Sequence, residues 1–495
     1  MGILWSFIEK CLKSHPDSLI EEYNSEQYTY ETMLHNIESH ANVLKGHDLS
    51  QQKCVIICEK NIKCLEAMLF CWKVGMIPIP VSLHYGIEHC NKIISVTVPN
   101  YILVDTDELE LETEIPVLPI EYFALHCSEE YEKDPELSDI ELMMCTSGTT
   151  GLPKSSMFTG EAIETNTYAI THYFPLSDKE RILIARPLYH CAVLVGEVLT
   201  ALCVGANILF YSKKFNPLIL SKLIKNDNIT AMCGTPTLLK GVVDCTKDKT
   251  VLEKIHIIAM SGEYLLPEYA EYIAKYFSSA KIYNVYGLTE AGPRVAYLNH
   301  DLFRTHAQAV GKPIEGVEVK VSSCNAAYDD KVTPLPENEV GNVWVKTPCI
   351  MKGYYREKRM TEARMNGEWF NTGDLGCIRD GLLYIIGRSD DMIIKAGMNI
   401  YPREIEIKML ELPEIAEAMV YGDFVGGVEQ IFSDIVIHGE SSQITEQSIK
   451  TKLIDVIPGY MLPYKINIVE QLPRNASGKV VRPSKKIRET VTKGE

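Results

Sequence analysis

The chain has 495 residues, of which 46% are hydrophobic and 23% are charged, as in an ordinary globular protein. This composition excludes a disordered or collagen-like chain, and the length suggests about three domains or one large domain with a smaller one. The 49 Lys and Arg residues against 66 Asp and Glu residues give a formal net charge of −17. We therefore expect no nucleic acid as partner, because phosphate backbones are bound by cationic surfaces.

The fifteen cysteines are scattered along the chain, and no C-x-x-C pair occurs among them. This pattern argues against a zinc site and against a thioredoxin-like site. Free buried thiols are typical of a reducing compartment, so we expect a cytoplasmic protein. The longest apolar stretch, residues 192–211, is interrupted by Glu197, Gly205 and Asn207. It predicts a buried helix, a turn and a strand rather than a transmembrane segment.

In chain order, residues 1–140 alternate amphipathic helical patterns with short apolar strands, and the same rhythm returns over 182–290. This β-α-β alternation predicts mostly parallel sheets covered by helices. Residues 310–387 are short strands between Gly, Pro and Asn turns, which predicts a small antiparallel sheet or barrel. A short α/β unit follows over 391–495. We therefore predict an α/β fold with a large domain over 1–389 and a small domain over 390–495.

The most distinctive motif is the loop TSGTTGLPKS at 146–155, which follows the apolar strand ELMMC. Its glycines let backbone N–H groups approach an anion, and its hydroxyl groups and lysine add donors and charge. A flexible surface loop is the alternative, but the helix that begins near Thr159 also favours anion binding. The loop is not a Walker A motif, because Pro153 precedes the lysine. We predict that phosphate is bound by Thr146, Ser147, Gly148, Thr149, Thr150, Gly151 and Lys154.

This loop resembles the signature loop of the adenylate-forming superfamily, which includes acyl- and aryl-CoA ligases, peptide-synthetase adenylation domains and firefly luciferase. Further segments resemble the family motifs in family order, so that the resemblance covers nearly the whole chain. They are PLYH (187–190), YGLTE (286–290), TGD (372–374), GRSDD (387–391), KAG (395–397) and PRNASGK (473–479). The resemblance implies two steps. A carboxylate attacks the α-phosphate of ATP to give acyl-adenylate and pyrophosphate, and a thiol then displaces AMP to give a thioester.

The resemblance also implies which residues bind the nucleotide. Asp374 suits acceptance of hydrogen bonds from the ribose hydroxyls, with Arg388 beside it, although Asp is also common in exposed turns. In the strand KIYNVYG (281–287), Asn284 and Tyr286 share one face. Asn284 is expected at the adenine edge and Tyr286 on the adenine plane, and a half-buried strand is the alternative. The remaining residues of the predicted nucleotide site are Gly262, Glu263 and Gly287.

Three residues are expected to act at the reacting groups, and a fourth at the metal. Thr289 is expected to bond the α-phosphate, and Lys479 to neutralise charge as the pentavalent state forms. Glu290 is expected to help bind Mg²⁺, which keeps most of its waters. His190 is expected to face the acyl pocket. The alternatives are an ordinary surface lysine for Lys479, a helix-start carboxylate for Glu290 and a core histidine for His190.

Two further features of the sequence concern the carboxylic acid substrate and the thiol acceptor. Amino-acid-activating relatives carry an Asp near the PLYH segment, whereas residues 189–195 here contain none, so a substrate ammonium group would stay unpaired. We therefore expect a fatty or aromatic acid. Residues 450–495 hold ten Lys and Arg against four Asp and Glu. This excess fits coenzyme A, the phosphopantetheine of an acidic carrier protein, or simply a solvated basic tail.

The small domain must serve both steps, because it contains Lys479 for the first and the segment with Lys395 and Gly397 for the second. The resemblance implies that this domain is mobile and rotates between the steps with Asp390 as the hinge. Gly397 permits close approach of a pantetheine arm. Met398 departs from the G-E-N-I pattern of many CoA ligases, which weakens any inference about the thiol.

Overall fold

The computed structural model describes residues 2–44, 46–106, 109–119, 133–146, 153–323, 332–395, 398–439, 444–474 and 480–483. The chain divides into two compact units. Unit 1 comprises Met1–Val319 and Val345–Phe370, and unit 2 comprises Lys320–Trp344 and Asn371–Glu495. The predicted α/β class is confirmed. The domain boundary predicted at 389/390 lies inside unit 2, whose last segment begins at Asn371. The boundary at 389/390 therefore stays a prediction about which part of the chain moves.

The helices are short and most of them cover sheets. They are α1 Ile3–Ser14, α2 Tyr30–Val43, α3 Asn61–Val74, α4 Ile87–Thr97, α5 Gly160–Tyr173, α6 Cys191–Val193, α7 Thr200–Val204, α8 Pro217–Asn226, α9 Pro236–Cys245, α10 Pro267–Tyr276, α11 His300–His306, α12 Lys358–Glu362, α13 Pro402–Leu410 and α14 Glu446–Ile454. A π-helix, Leu194–Leu199, joins α6 to α7. No helix among the described residues is long and apolar enough to cross a lipid bilayer.

Most of the strands are short. They are β1 Leu19–Glu22, β2 Gln27–Thr29, β3 Lys53–Ile57, β4 Ile77–Val81, β5 Tyr101–Val104, β6 Val117–Pro119, β7 Ile140–Thr146, β8 Lys154–Thr159, β9 Arg181–Ile184, β10 Asn207–Phe210, β11 Ala231–Gly234, β12 Ile257–Met260, β13 Lys281–Gly287, β14 Arg294–Leu298, β15 Lys312–Pro313, β16 Glu318–Ser322, β17 Gly341–Lys346, β18 Gly353–Tyr354, β19 Met365–Asn366, β20 Trp369–Arg379, β21 Leu382–Arg388, β22 Ile393–Lys395, β23 Met398–Ile400, β24 Ile415–Val425, β25 Val428–Ile437 and β26 Lys465–Ile468.

Two sheets of unit 1 have the parallel pairing that the β-α-β rhythm predicts. A nine-stranded sheet has the order β15-β14-β13-β12-β11-β9-β10-β1-β2, and its strands from β13 to β1 pair in parallel. A four-stranded sheet, β4-β3-β5-β6, is parallel throughout. The strands β3, β4, β5, β11 and β12 are fully buried, and β9 and β10 are buried except at their first residues, as is usual where helices cover both faces of a parallel sheet.

The remaining sheets are smaller. The antiparallel sheet β18-β8-β7 belongs to unit 1. The predicted antiparallel sheet over 310–387 is present as β16-β17-β20-β19, with β21 paired to β20. Unit 2 also contains the β22-β23 hairpin and the sheet β24-β25-β26. The core of its last α/β portion is built from Ile393, Ile405, Met409, Ile431 and Leu453.

The apolar stretch over 192–211 folds as predicted into helix, turn and strand. Its helical part ends at Gly205, which has φ of +74° and closes α7 in the left-handed conformation. A Cβ atom at Gly205 would also collide with the imidazole of His15. The strand β10 begins two residues later, and the whole stretch lies in the core of unit 1.

The cysteines fit the expectation of free buried thiols. None of the cysteines that the structure describes forms a disulfide. Cys54 on β3 and Cys64 and Cys71 on α3 are buried in the same apolar core. Burial raises the pKa of the Cys64 thiol to about 12 and raises that of Cys71 well above its usual value. The thiols of Cys64 and Cys71 are therefore protonated and unreactive in the folded chain.

One half-buried carboxylate joins two helix starts in unit 1. The backbone N–H groups of Ile3 and Leu4 donate to Oε1 and Oε2 of Glu141, at 2.9 Å each. A Cβ atom at Gly160, the first residue of α5, would lie 2.5 Å from Oε1 of the same carboxylate. The first N–H groups of a helix lack partners within the helix, and its positive end favours an anion. Glu141 therefore fixes α1 and α5 against β7.

We predict that Glu141→Ala destabilises unit 1, because two N–H groups lose their acceptor and two helix ends lose a nearby negative charge. The loss should be about 1–3 kcal/mol, which corresponds to a fall of several degrees in thermal midpoint. Differential scanning fluorimetry measures it, with Glu114→Ala at an exposed position as the matched control. Equal midpoints for the two variants would show that Glu141 is not the anchor of these helices.

Candidate active site

The predicted site segments of unit 1 follow strands that end on one edge of the nine-stranded sheet. The PLYH segment follows β9, residues 261–263 follow β12, and Tyr286 and Gly287 end β13. Parallel pairing sets this arrangement, with Met260 opposite Asn284 and Ala231 opposite Ile257. The carboxyl edge of a parallel sheet is where such folds bind ligands. The sheet thus brings together segments that are up to a hundred residues apart in the sequence.

Tyr354 links Lys154, at the end of the predicted phosphate-binding loop, to the predicted metal ligand Glu290. The Nζ atom of Lys154, at the start of β8, lies 5.3 Å from the centre of the Tyr354 ring. The hydroxyl of Tyr354 donates to Oε1 of Glu290 at 2.6 Å, and the Met351 N–H donates to the Glu290 carbonyl at 2.8 Å. The strand pair β18-β8 creates this meeting, because Tyr354 is in register with Ser156. The cation and the carboxylate of the predicted site therefore share one tyrosine.

Glu290 suits a magnesium ion only with help from other ligands. The described part of the chain contains no group of three or more His, Cys, Asp or Glu side chains that could hold a metal ion. A Mg²⁺ ion at Glu290 would need phosphate oxygens and waters to complete its coordination, which is usual for nucleotide-bound magnesium. The residues present therefore fit a magnesium–nucleotide complex rather than a permanent metal cage.

The turn that carries Thr289 is tightly constrained. Thr289 begins a short 3₁₀ helix, Thr289–Ala291, which directly follows β13. A Cβ atom at Gly287 would collide with the Pro293 carbonyl, whose oxygen accepts the Leu288 N–H at 3.0 Å. Only glycine therefore permits this close backbone approach. The constraint fixes where Thr289 and Glu290 leave the sheet.

Asn284 and Tyr286 share a face of β13, but Asn284 is already engaged. Its Nδ2 atom donates to the carbonyls of Ala307 and Ala309, at 3.1 and 2.9 Å, and the residue is buried. No amide hydrogen remains for adenine, so a contact with the adenine edge would use the Asn284 carbonyl oxygen. That contact and the stacking role of the half-buried Tyr286 stay predictions.

Arg186 is a residue that motif reasoning missed. Its Nη2 atom forms an ion pair with Glu197, which is completely buried in the π-helix, and its Nη1 atom donates to Ser261 Oγ at 3.3 Å. It thus connects the start of the PLYH segment to residues 261–263 of the predicted nucleotide site, where Gly262 has φ of +89°. The sequence could have indicated this ion pair, because Arg186 and Glu197 have opposite charges and lie eleven residues apart in a mostly apolar stretch.

Other predicted members of this region have local roles. Glu263 Oε2 accepts the N–H of Thr237 at 3.3 Å, near the start of α9. His190 is half-buried and precedes α6 directly, with its ring centre 4.3 Å from that of Tyr189. Burial, followed by the nearby charge of Arg186, lowers the pKa of His190 to about 3. The imidazole is therefore neutral at pH 7, so any role at the acyl group is that of a neutral side chain.

In unit 2, Asp374 and Arg388 lie side by side. They are directly opposite in the β20-β21 register, and Arg388 Nη1 donates to Asp374 Oδ1 at 2.9 Å. Asp374 lies inside β20 and only 7% of it is exposed, so it is not the exposed turn residue of the alternative interpretation. The Asp374 N–H donates to Thr372 Oγ1 at 3.0 Å. The predicted pair is present, and its binding to ribose stays a prediction.

The predicted hinge and thiol segments also belong to unit 2. Asp390 is exposed in the 3₁₀ helix Ser389–Asp391, at the end of β21. Lys395 ends β22, where it is in register with Met398, and its Nζ atom donates to the Tyr460 carbonyl at 3.3 Å. The predicted residues that lie outside the described part of the chain are Ser147, Gly148, Thr149, Thr150, Gly151, Gly397 and Lys479.

Comparison with known proteins gives two family models that together span most of the chain. The model described as AMP-binding enzyme matches residues 8–355, and the model of the AMP-binding enzyme C-terminal domain matches residues 404–479.

Two relatives differ in the acids that they are named for. Feruloyl-CoA synthase from Amycolatopsis is 25% identical over 441 residues, which are 84% of this chain and 85% of the relative. A long-chain-fatty-acid–CoA ligase from Escherichia coli is 29% identical over 356 residues, which are 70% and 62% of the two chains.

Solved structures have the same fold. The structure of ATP-bound MatB from Rhodopseudomonas palustris superposes with a TM-score of 0.86, at 24% identity, and the match covers 99% of each chain. The α/β fold of this chain is therefore the fold of that solved structure.

We predict that Tyr354→Phe weakens the response to magnesium, because Glu290 loses the hydroxyl that orients it. Loss of such a supporting hydrogen bond typically costs 10- to 100-fold in metal affinity, so we expect about a tenfold higher magnesium requirement for acid-dependent ATP–pyrophosphate exchange. Tyr272→Phe is the matched control, because it removes a similar tyrosine–carboxylate bond, to Asp244, on the exposed surface. An unchanged magnesium dependence in Tyr354→Phe would contradict the assigned role of this tyrosine.

We also predict that His190 makes the chain less stable towards acid. Its pKa in the folded chain, about 3, lies below the ordinary value of 6.5, so the unfolded chain binds a proton that the folded chain does not. The contribution of neutral His190 is thus complete above pH 6.5 and is lost as the pH falls from there towards 3. As the pH falls from 7 to 5, the thermal midpoint of His190→Gln should therefore gain relative to the thermal midpoint of the wild type.

Differential scanning fluorimetry at pH 7, 6 and 5 measures this gain. The control is His35→Gln, at an exposed position, for which the difference from the wild type should stay constant. A constant difference for His190→Gln as well would mean that His190 is protonated in the folded chain near its ordinary pKa.

Proposed function

This chain belongs to the AMP-binding enzyme family as an AMP-forming acid–thiol ligase, and we propose that it converts a fatty or aromatic carboxylic acid into its coenzyme A thioester. The acid is first activated with ATP to the acyl-adenylate, with release of pyrophosphate, and the thiol then displaces AMP. The observation that best supports this proposal is the meeting of Lys154 and Glu290 at Tyr354. It provides a cation for phosphate oxygens beside a carboxylate held ready for a metal ion.

In the first step the chain's own residues hold the phosphates and stabilise charge. Lys154 and the rest of the 146–154 loop bind the β- and γ-phosphates, and Thr289 bonds the α-phosphate. A bound magnesium ion supplies further neutralisation of phosphate charge. Lys479 bridges the substrate carboxylate and the α-phosphate as negative charge develops there. Asp374 accepts hydrogen bonds from the ribose hydroxyls, and Arg388 orients its carboxylate.

The choice of an apolar acid rests on the segment after His190. Cys191, Val193, Leu194 and Val195 are buried, and the carboxylate of Glu197, in the same stretch of chain, is already paired with Arg186. A substrate ammonium group would therefore compete with a guanidinium for the same buried carboxylate, which is unfavourable. Feruloyl-CoA synthase and the long-chain-fatty-acid–CoA ligase are named for one aromatic and one aliphatic acid. We propose that the acid comes from these two classes.

For the second step we propose coenzyme A as the acceptor and rotation of the C-terminal portion about Asp390. Four of the cations that the structure describes in residues 450–495 pair with carboxylates outside this stretch. These pairs are Lys450 with Glu446, Lys452 with Glu414, Arg474 with Glu417, and Arg482 with Asp391 and Glu406. The remaining excess supports binding of a small phosphate-bearing thiol. The alternative is a free-standing adenylating enzyme that loads the phosphopantetheine of a carrier protein.

The deciding experiment separates the two half-reactions on the purified chain. ATP–pyrophosphate exchange is measured with fatty, aryl and amino acids, and thioester formation is then measured with coenzyme A and with a pantetheinylated carrier protein. We expect exchange with a fatty or aryl acid and a thioester with coenzyme A. Exchange with amino acids alone, or a thioester with the carrier alone, would overturn the corresponding part of the proposal.

Lys479→Ala serves as the internal check on the mechanism. Removal of one preorganised charge should lower exchange by about 10²- to 10³-fold. Thioester formation from supplied acyl-adenylate should stay near the wild-type rate, because Lys479 acts only in the first step. Equal losses in both half-reactions would remove Lys479 from its assigned role.

A further inference from the structure

Arg482 lies three residues after Lys479 and binds three separate elements of unit 2. Its Nη1 atom donates to Asp391 Oδ2 at 3.1 Å, and its Nη2 atom donates to Glu406 Oε1 at 2.5 Å. Its Nε atom donates to the Val420 carbonyl at 3.1 Å. All three nitrogens of the guanidinium are therefore used, each on a different element. The side chain is mostly buried, with 25% exposed.

The partners of Arg482 connect the predicted hinge to the body of the C-terminal portion. Asp391 is the residue directly after the predicted pivot Asp390. Glu406 is on α13 and Val420 is on β24. If a domain rotates about one residue, the next residue has to be fixed to the domain that moves. Otherwise the change in backbone dihedral angles is spread over several residues. Arg482 supplies that connection.

The Glu406 end of this arrangement is rigid. Only 1% of the Glu406 side chain is exposed, and its carboxylate accepts the Val420 N–H at 2.9 Å and Arg403 Nη1 at 3.1 Å besides Arg482. A buried carboxylate with this many donors has one well-defined position. Arg482 is therefore held against a fixed point rather than against a mobile surface group.

The chain near Arg482 is also fixed on its other side. The Val481 N–H donates to the Pro473 carbonyl at 2.9 Å, and Arg474 forms an antiparallel bridge with Val480. Residues 473–474 and 480–482 thus form a paired base, whose two halves are joined in the sequence by residues 475–479. Arg482 attaches this base both to the body of unit 2 and to Asp391.

We propose that Arg482 is a positioning residue for adenylate formation, which sets the place of Lys479 relative to the Asp390 pivot by binding Asp391 and Glu406 together. The proposal rests on the function proposed above. Lysine cannot replace arginine here, because one ammonium group does not present the planar fork that reaches acceptors on three elements. Transfer of the acyl group to the thiol does not use Lys479 and is therefore much less dependent on Arg482.

The test compares Arg482→Gln with the wild type in both half-reactions. We expect the maximal rate of ATP–pyrophosphate exchange to fall about 10- to 100-fold with little change in the KM for ATP or for the acid. Thioester formation from supplied acyl-adenylate should stay within about threefold of the wild type. Arg482→Lys should be nearly as slow in exchange. An unchanged exchange rate, or equal losses in both half-reactions, would overturn the proposal.

Arg403→Gln is the matched control for a purely structural effect. It removes a donor to the same Glu406 carboxylate but leaves the contacts of Arg482 with Asp391 and Val420 in place. We expect a lower thermal midpoint with both half-reactions near the wild-type rates. If Arg403→Gln shows the same selective loss of exchange, the effect comes from Glu406 packing and not from the link to the hinge.

A double-mutant cycle with Asp391→Asn tests the route of the effect. If Arg482 acts through Asp391, the double variant should be no slower in exchange than Arg482→Gln alone. Fully additive losses would overturn the link to the pivot. The result is independent of which acid or thiol the enzyme uses, since every variant is compared with the wild type on the same substrates. Failure of Lys479→Ala to lower exchange would instead refute the proposed function.

Discussion

The parallel pairing of β9 with β11, β11 with β12 and β12 with β13 is the constraint on which the candidate site of unit 1 depends. Parallel strands end on the same edge of a sheet, so residues that follow different strands are forced to be neighbours. Arg186 and Ser261 meet in this way, although 75 positions separate them in the sequence. A one-residue change of register in any of these pairs would turn the site segments to the other face.

The antiparallel pair β18-β8 adds the residues of the candidate site that are predicted to bind phosphate and magnesium. It is a very short pairing, but it sets Tyr354 beside Lys154 and within hydrogen-bond distance of Glu290. The site of unit 1 is thus built from one large parallel sheet and one small antiparallel sheet. The candidate site therefore depends on how these two sheets are placed relative to each other within unit 1.

The sequence predicted those features that depend on short stretches of chain. The strand over 281–287 is found with the predicted bounds, and the turn at Gly205 and the Asp374–Arg388 pair are present because each follows from local pattern or from a motif. Tyr354 and Arg186 were missed because their partners are supplied by sheet order, which periodicity does not encode. The hydrogen bonds of the Asn284 amide were not predicted for the same reason, since its acceptors are the carbonyls of Ala307 and Ala309.

Each unit contains a buried carboxylate that is paired with an arginine. Glu197 and Glu406 are almost completely buried, and each is bound by an arginine. Arg186 directly precedes the PLYH motif, and Arg482 lies three residues after the PRNASGK motif. A buried ion pair contributes little net stability, because desolvation offsets much of the attraction. Its geometry is nevertheless well defined, so such pairs fix the position of a segment more than they strengthen the fold. Both arginines therefore connect segments that carry site residues.

The buried thiols of β3 and α3 give the chain an internal kinetic reporter. A thiol within a packed core reacts with an alkylating agent only after the surrounding structure has opened, so the labelling rate of Cys54, Cys64 and Cys71 measures how often that part of unit 1 opens. Mass spectrometry of pulse-labelled protein would resolve each cysteine separately. Ligand-dependent slowing of these rates would then report binding free energy without any dye, tag or catalytic turnover.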